Sequence, residues 1–290
     1  MSTLAYEIVN VFTDRPFAGN PLAVVFGAEG LATEQMQTLA REFNLSETVF
    51  VLPATTSTAS YRARIFTPAR ELPFAGHPSI GAAVTAVRRG VCAPGDVIQE
   101  CGAGLLPLEV TADGRATLTG GTPTVGPEFD PAELLRSLSL NLADFVGPLP
   151  RFAGCGLEFA YLAVRPDAVA RAALAPTVAI ADEFPNVSVF AWDTARHTVH
   201  ARVFCPGIGV PEDPATGSAA LGLGVWAVAS GVLPGEGRST YVVYQGAELR
   251  RPSVLTCTVT AVDGAAAGVT VSGRVVPVAR GEIIVPPFLG

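Results

Sequence analysis

A short motif written twice constrains this chain more than any other feature. Glu71-Leu72-Pro73-Phe74-Ala75-Gly76-His77 recurs as Glu212-Asp213-Pro214-Ala215-Thr216-Gly217-Ser218. Strand-like lead-ins of the same form precede both copies, Arg64-Ile65-Phe66-Thr67-Pro68 and Arg202-Val203-Phe204-Cys205-Pro206. Both copies open a helix of small apolar residues, and each helix meets a stop glycine, Gly90 or Gly231. A repeat this widely spaced means two copies of one domain rather than a stack of short units. The expected architecture is α+β, with two pseudo-symmetric lobes, each a mostly antiparallel, curled β-sheet around one central buried helix. Residues 1–120 would form the N-terminal lobe and residues 121–276 the C-terminal lobe, with residues 277–290 returning to the first.

Composition narrows the chemistry. The chain has 290 residues, 49% of them apolar, which is enough for two cores. Its net charge of −7 opposes a nucleic-acid groove, which needs clustered positive charge. All 19 basic residues are Arg. A chain without Lys cannot form a pyridoxal-phosphate aldimine or an aldolase Schiff base, and it lacks the lysine of a Walker phosphate loop. The five cysteines, Cys92, Cys101, Cys155, Cys205 and Cys257, are scattered and odd in number, so neither a disulfide framework nor a zinc site is expected. The start of the chain lacks the basic and apolar regions of a signal peptide, and the longest apolar run, Ala219 to Ala229, is too short to span a bilayer. The expectation is a cytoplasmic protein that binds no membrane.

Periodicity places the motifs. Tyr6 to Phe26 reads as two strands joined around Asp14 to Pro21. Thr33 is expected to cap a helix carrying Met36, Leu39, Ala40 and Phe43 on one face, with Asn44 ending it. Strands are predicted at Thr48–Leu52 and Tyr61–Phe66, and then at Leu105–Thr111, Ala116–Leu118, Leu157–Val164, Val187–Trp192, Thr198–Phe204, Val254–Val262 and Gly268–Val278. Gly120 to Asp130 reads as the linker, and Pro131 to Leu142 as a surface helix. The helices after Gly76 and Gly217 lack a polar face and should be buried on all sides.

The two copies differ where chemistry could sit. Helix starts expose N–H groups at the positive end of the dipole and attract carboxylates, and a glycine there admits a ligand closely. With no Lys available, the backbone at Gly76 and Gly217 and the hydroxyls of Thr216 and Ser218 are the natural anion ligands. His77 lies beside the first start, where the dipole disfavours imidazolium. His197 and His200 fall in a predicted strand, on opposite faces, and read as solvated residues. Asp213 stands where the first copy has Leu72, so the turn itself does not require an acid. Glu71 and Glu212, present in both copies, read as structural. Glu47 sits where a helix gives way to a buried-looking strand; burial would raise its pKa into the proton-transfer range, while the spacing fits a surface Glu at a strand end equally well.

These residues carry a resemblance. Gly19-Asn20-Pro21, Ser46-Glu47-Thr48, Phe74-Ala75-Gly76-His77-Pro78, the second copy through Ala219, and Tyr244-Gln245-Gly246 followed by Arg251-Pro252-Ser253 resemble the PhzF family of phenazine-biosynthesis-like isomerases, nearly end to end. The resemblance implies a diaminopimelate epimerase-like fold with the site in the cleft between lobes. It implies Glu47 as the proton-shuttling acid/base, supported by His77 and Asp213, with Asn20, Ser46, Gly76, Thr216, Gly217 and Ser218 binding substrate. Diaminopimelate epimerases and proline racemases place a Cys at each helix start; Gly76-His77 and Gly217-Ser218 exclude two-thiol racemisation here. The implied activity is a cofactor-independent shift of a double bond in a small cyclic carboxylate or amino acid such as a dihydro-hydroxyanthranilate, in secondary metabolism and with no metal. An isomerase of another cyclic amino-acid intermediate, such as a proline derivative, and a non-catalytic binding protein stand as alternatives. The implied partner is a small carboxylate substrate, and the resemblance leaves room for a homodimer.

Overall fold

The computed structural model describes residues 2–175, 183–208 and 210–288. It is mostly sheet with a few helices, and the chain divides into two compact units, Met1–Leu118 with Ser272–Gly290, and Thr119–Val271.

In the first unit β1 (Thr3–Val11) pairs antiparallel with β2 (Asn20–Phe26), Val11 opposite Asn20. The loop between them closes at Gly19, whose φ of +68° lies in the left-handed region and whose missing Cβ leaves room for Thr13. Helix α1 (Thr33–Phe43) crosses over to β3 (Thr48–Leu52), which runs parallel to β2. Next come β4 (Tyr61–Phe66), antiparallel to β3, and the two-residue β5 (Glu71–Leu72) on the edge of β4. Helix α2 (Gly76–Arg88) then crosses to β6 (Gly95–Cys101), parallel to β4, and β7 (Gly104–Val110) and β8 (Arg115–Thr119) follow as antiparallel neighbours. The last strand of the chain, β17 (Ala265–Ile284), pairs with both β1 and β8. The ring β1–β2–β3–β4–β6–β7–β8–β17 therefore closes on itself, and α2 lies against its inner face. Every residue of α2 from Gly76 to Ala86 is buried. Small residues make this possible: a Cβ on Gly81 would stand 2.9 Å from Val11 Cγ2. Ile80 and Val84, buried on this helix, each contribute on the order of 1.5–3 kcal/mol.

The second unit contains β9 (Thr124–Glu128), α3 (Pro131–Ser137), β10 (Arg151–Gly154), β11 (Glu158–Ala163), α4 (Pro166–Arg171), β12 (Val187–Asp193), β13 (Thr198–Cys205), β14 (Val210–Asp213), α5 (Gly217–Ala229), β15 (Gly237–Gln245) and β16 (Ser253–Val262). Its pairing repeats that of the first unit step for step. β10–β11 is antiparallel as β1–β2 is, and β11–β12 is parallel across α4 as β2–β3 is across α1. β12–β13 and β13–β14 are antiparallel as β3–β4 and β4–β5 are. β13–β15 is parallel across α5, matching β4–β6 across α2, and β15–β16 matches β6–β7. Helices α1 and α4 each seal an apolar layer against their sheet. Met36, Leu39 and Ala40 of α1 pack with Val25, Phe50 and Phe66; Ala168 and Val169 of α4 pack with Leu162, Val189 and Phe204.

The structure differs from the sequence expectation at several points. Thr33 is not the cap of α1. Ala32 holds that position, and Gln35 Oε1 accepts its backbone N–H at 3.0 Å, while the Thr33 hydroxyl accepts from Arg64. The segment read as a linker contains β9, paired with β10. The helix expected over Pro131 to Leu142 ends at Ser137, and its Leu134, Leu135 and Leu138 are core rather than surface. His197 lies before β13 at φ 52°, and His200 Nε2 meets Glu248 Oε1 at 2.9 Å. β5, β6, β9, β10, β14 and β15 were not among the predicted strands. No helix among the described residues is long and apolar enough to cross a membrane.

Candidate active site

The first unit gathers four of the expected site residues. The left-handed Asn44, with its N–H on the Ala40 carbonyl, ends α1 and turns the chain so that Ser46 and Glu47 arrive at the start of β3. β3 is buried throughout and lies beside β2, whose first residue is Asn20. His77 is the second residue of α2. These starts converge. His77 Nε2 lies 3.5 Å from Glu47 Oε2, Asn20 Nδ2 lies 3.1 Å from His77 Nδ1, and the Ser46 hydroxyl donates to Asn20 Oδ1 at 3.4 Å. Glu47 is 8% exposed, His77 5% and Asn20 0%.

Burial pushes the His77 pKa down to about 3, with the Pro21 carbonyl only partly opposing it. The imidazole is therefore neutral across the physiological range, so its 3.5 Å approach to Glu47 is a close polar contact rather than an ion pair, and Nε2 makes no hydrogen bond among the described residues. Asn20 Nδ2 faces His77 Nδ1, and Glu47 Oε2 faces His77 Nε2, so the two ring nitrogens look toward different neighbours. Ser46, Asn20, His77 and Glu47 thus form one row of polar side chains that ends beside a carboxylate. Asn20, expected to bind substrate, has its amide engaged by His77 and Ser46.

The second unit builds a different cluster at the equivalent place. Asp213 ends β14, and Thr216 precedes the first residue of α5, Gly217. The Thr216 hydroxyl donates to Asp213 Oδ2 at 2.5 Å and does not cap the helix. Gln245, the last residue of β15, joins them: its Nε2 donates to the Asp213 carbonyl at 2.7 Å and to Thr216 Oγ1 at 3.1 Å, and its Oε1 accepts the Thr216 N–H at 3.2 Å. Asp213 is 9% exposed; Ser218 is half-buried at the second position of α5. Gln245 was not among the expected site residues, although it stands inside the Tyr244-Gln245-Gly246 signature, which was the available signal. Neither α2 nor α5 has a side-chain cap, so the N–H groups of their first turns are not taken up in that way.

Glu71 and Glu212 are structural partners. Arg64 grips Glu71 through Nε–Oε1 at 2.8 Å and Nη2–Oε2 at 2.7 Å, and Arg202 grips Glu212 with the same pair of distances. Each Arg also lies over the Phe two residues on, Phe66 or Phe204. Among the described residues, no three His, Cys, Asp or Glu side chains are grouped as a metal would require. The cysteines are free, and burial raises the thiol pKa of Cys155 to about 12.

The chain as a whole is similar to known proteins. Residues 9–281 match the family described as phenazine biosynthesis-like protein. An uncharacterized isomerase of Mesorhizobium japonicum is 35% identical, over 98% of this chain and 100% of its own. The trans-2,3-dihydro-3-hydroxyanthranilate isomerase of Pseudomonas aeruginosa is 35% identical, over 96% of this chain and 98% of its own. Among solved structures, a PhzF-family phenazine biosynthesis protein of Bacillus anthracis superposes with a TM-score of 0.87 at 25% identity, covering 98% of this chain and 100% of that one.

Proposed function

Because this chain belongs to the phenazine biosynthesis-like, or PhzF, family and is an isomerase, we propose that it shifts a carbon–carbon double bond in a small cyclic unsaturated carboxylate of the dihydro-hydroxyanthranilate type. Glu47 removes a proton from one ring carbon. The electron pair delocalises along the conjugated system, and the protonated Glu47, after exchange with solvent, delivers a proton to another ring carbon. Atoms and electrons balance within the substrate, so the step needs no flavin, nicotinamide or metal. The observation that carries this reading is the Glu47–His77 contact: a nearly buried carboxylate with a neutral imidazole 3.5 Å away. A neutral imidazole does not lock the carboxylate as a strong ion pair would, which leaves its basicity available to a carbon acid.

His77 orients the base, and Asn20 and Ser46 hold His77. Asp213 and Thr216 supply a second oriented carboxylate–hydroxyl pair for a polar substituent of the substrate. Gly76, Gly217 and Ser218, each at a helix start, are substrate-binding residues in this reading. The test is incubation with trans-2,3-dihydro-3-hydroxyanthranilate in deuterated water, followed by NMR. A moved double bond with deuterium at the ring carbon that gains the proton is the expected result. Unchanged substrate, or a product without deuterium and no internally transferred proton, would refute it.

A further inference from the structure

Gln245 is the one member of the second cluster that the reaction just described does not use, and its bonding is completely directional. An amide nitrogen donates and cannot accept. Thr216 Oγ1 therefore accepts from Gln245 Nε2, and its single proton goes to Asp213 Oδ2. The other Nε2 hydrogen is on the Asp213 carbonyl, and Oε1 holds the Thr216 N–H. At 2% exposure this side chain is kept from solvent, where an amide is costly unless its bonds are made.

The internal repeat shows that the turn does not need this trio. Val203 pairs with Asp213 as Ile65 pairs with Leu72. Thr216 precedes α5 as Ala75 precedes α2. Along the parallel pairs His200 faces Tyr244 as Arg62 faces Glu100, so the next residue, Gln245, corresponds to Cys101. The glycines that follow fix the register: a Cβ on Gly102 would meet Pro73, and one on Gly246 would meet Pro214. Leu72, Ala75 and Cys101 build the same turn without any of these hydrogen bonds. All three polar residues occur together in one copy only.

We propose that Gln245 is a positioning residue that fixes the Thr216 hydroxyl as a donor to Asp213, so that the carboxylate meets the substrate in one orientation. This rests on the functional reading above. Without the amide, the hydroxyl is free to turn, and a misdirected carboxylate costs rate more than binding.

The experiment is a double-mutant cycle on kcat and KM for trans-2,3-dihydro-3-hydroxyanthranilate, with Gln245→Leu, Thr216→Val and the double variant. Gln245→Leu should lower kcat about 10- to 100-fold with KM changed only a few-fold. The double variant should be no slower than the slower single variant, because both changes remove one interaction. Gln245→Glu keeps the volume and the acceptor for the Thr216 N–H but sets an acceptor against Thr216 Oγ1. It should draw the hydroxyl proton from Asp213 and slow turnover similarly, and it decides the matter if the Leu variant does not fold. Losses that multiply in the double variant, or a folded Gln245→Glu variant with wild-type kcat, would overturn the assignment while leaving the functional reading in place. A wild-type protein that does not turn over this substrate would overturn both.

Discussion

Glu47 and His77 lie far apart in the sequence, and their adjacency is created by two neighbouring chain starts, those of β3 and α2. Replacing Glu47 with Gln keeps the shape and removes the titratable proton, so turnover should fall by at least the roughly 10²–10⁴-fold typical of general acid–base catalysis. A folded Glu47→Gln variant that retains wild-type turnover would remove Glu47 from its role. His77 gives a separate prediction about stability. Its folded pKa of about 3 lies below the ordinary value of 6.5. Between those values the unfolded chain binds the proton and the folded one does not, so stability is complete above pH 6.5 and is lost as the pH falls toward 3. By pH 5 this amounts to about 2 kcal/mol. Urea unfolding at pH 7 and pH 5 should show His77→Asn losing about that much less than wild type. Equal losses would mean that His77 is protonated in the folded state.

At the level of elements, the repeated arginine clamp gives the two copies unequal stakes. Arg64 and Glu71 are 17% and 38% exposed, whereas Arg202 and Glu212 are 9% and 12%. Arg202 also donates through Nη1 to the carbonyls of Val169, Ala170 and Ala172 at the end of α4. Arg202→Met would leave Glu212 nearly buried without its partner and should cost about 3–5 kcal/mol. Arg64→Met should cost about 1 kcal/mol or less. Denaturant melts of the two variants decide this, and equal costs would show that the deeper setting of Arg202 is energetically irrelevant. The clamp was legible in the sequence as Arg and Glu recurring in both copies, as were the buried strands Thr48–Leu52 and Tyr61–Phe66, which matched residue for residue. Other elements were hidden for physical reasons. β9 contains Gly126 and Pro127, residues that ordinarily mark turns, and β10 is only Arg151–Gly154. β15 begins Gly-Arg-Ser-Thr and buries Gln245 on the same face as Tyr241 and Val243, so a polar residue falls where an apolar one is expected. The same break in pattern kept Gln245 out of the expected site: its partners come from β14 and the start of α5, a meeting set by parallel pairing across a helix rather than by sequence spacing.

For the molecule as a whole, the proposed carboxylate substrate must be bound by a chain with a net charge of −7 and no Lys. The overall field repels a carboxylate, so in the proposed reading affinity comes from short-range groups: the first-turn N–H groups at Gly217 and the Ser218 hydroxyl, the Thr216 proton being held by Asp213. Such a design has a salt signature opposite to that of a basic cleft. Salt screens the long-range repulsion and leaves close hydrogen bonds largely intact, so raising ionic strength should leave affinity unchanged or improve it slightly. The ligand 3-hydroxyanthranilate, which keeps the carboxylate of the proposed substrate on an unreactive ring, should stabilise the folded protein by linkage. At a concentration 100 times Kd the gain is about 2.7 kcal/mol, a rise in Tm of roughly 5 °C for a chain of this size. The corresponding primary amide should give little of that rise, because it lacks the charge that the helix dipole favours. Gly217→Val, which sets a branched side chain at the start of α5, should abolish the rise while leaving the unliganded Tm within a few degrees. Equal shifts with acid and amide, or affinity falling steeply with salt as it does for cationic sites, would show that the start of α5 is not what holds the carboxylate.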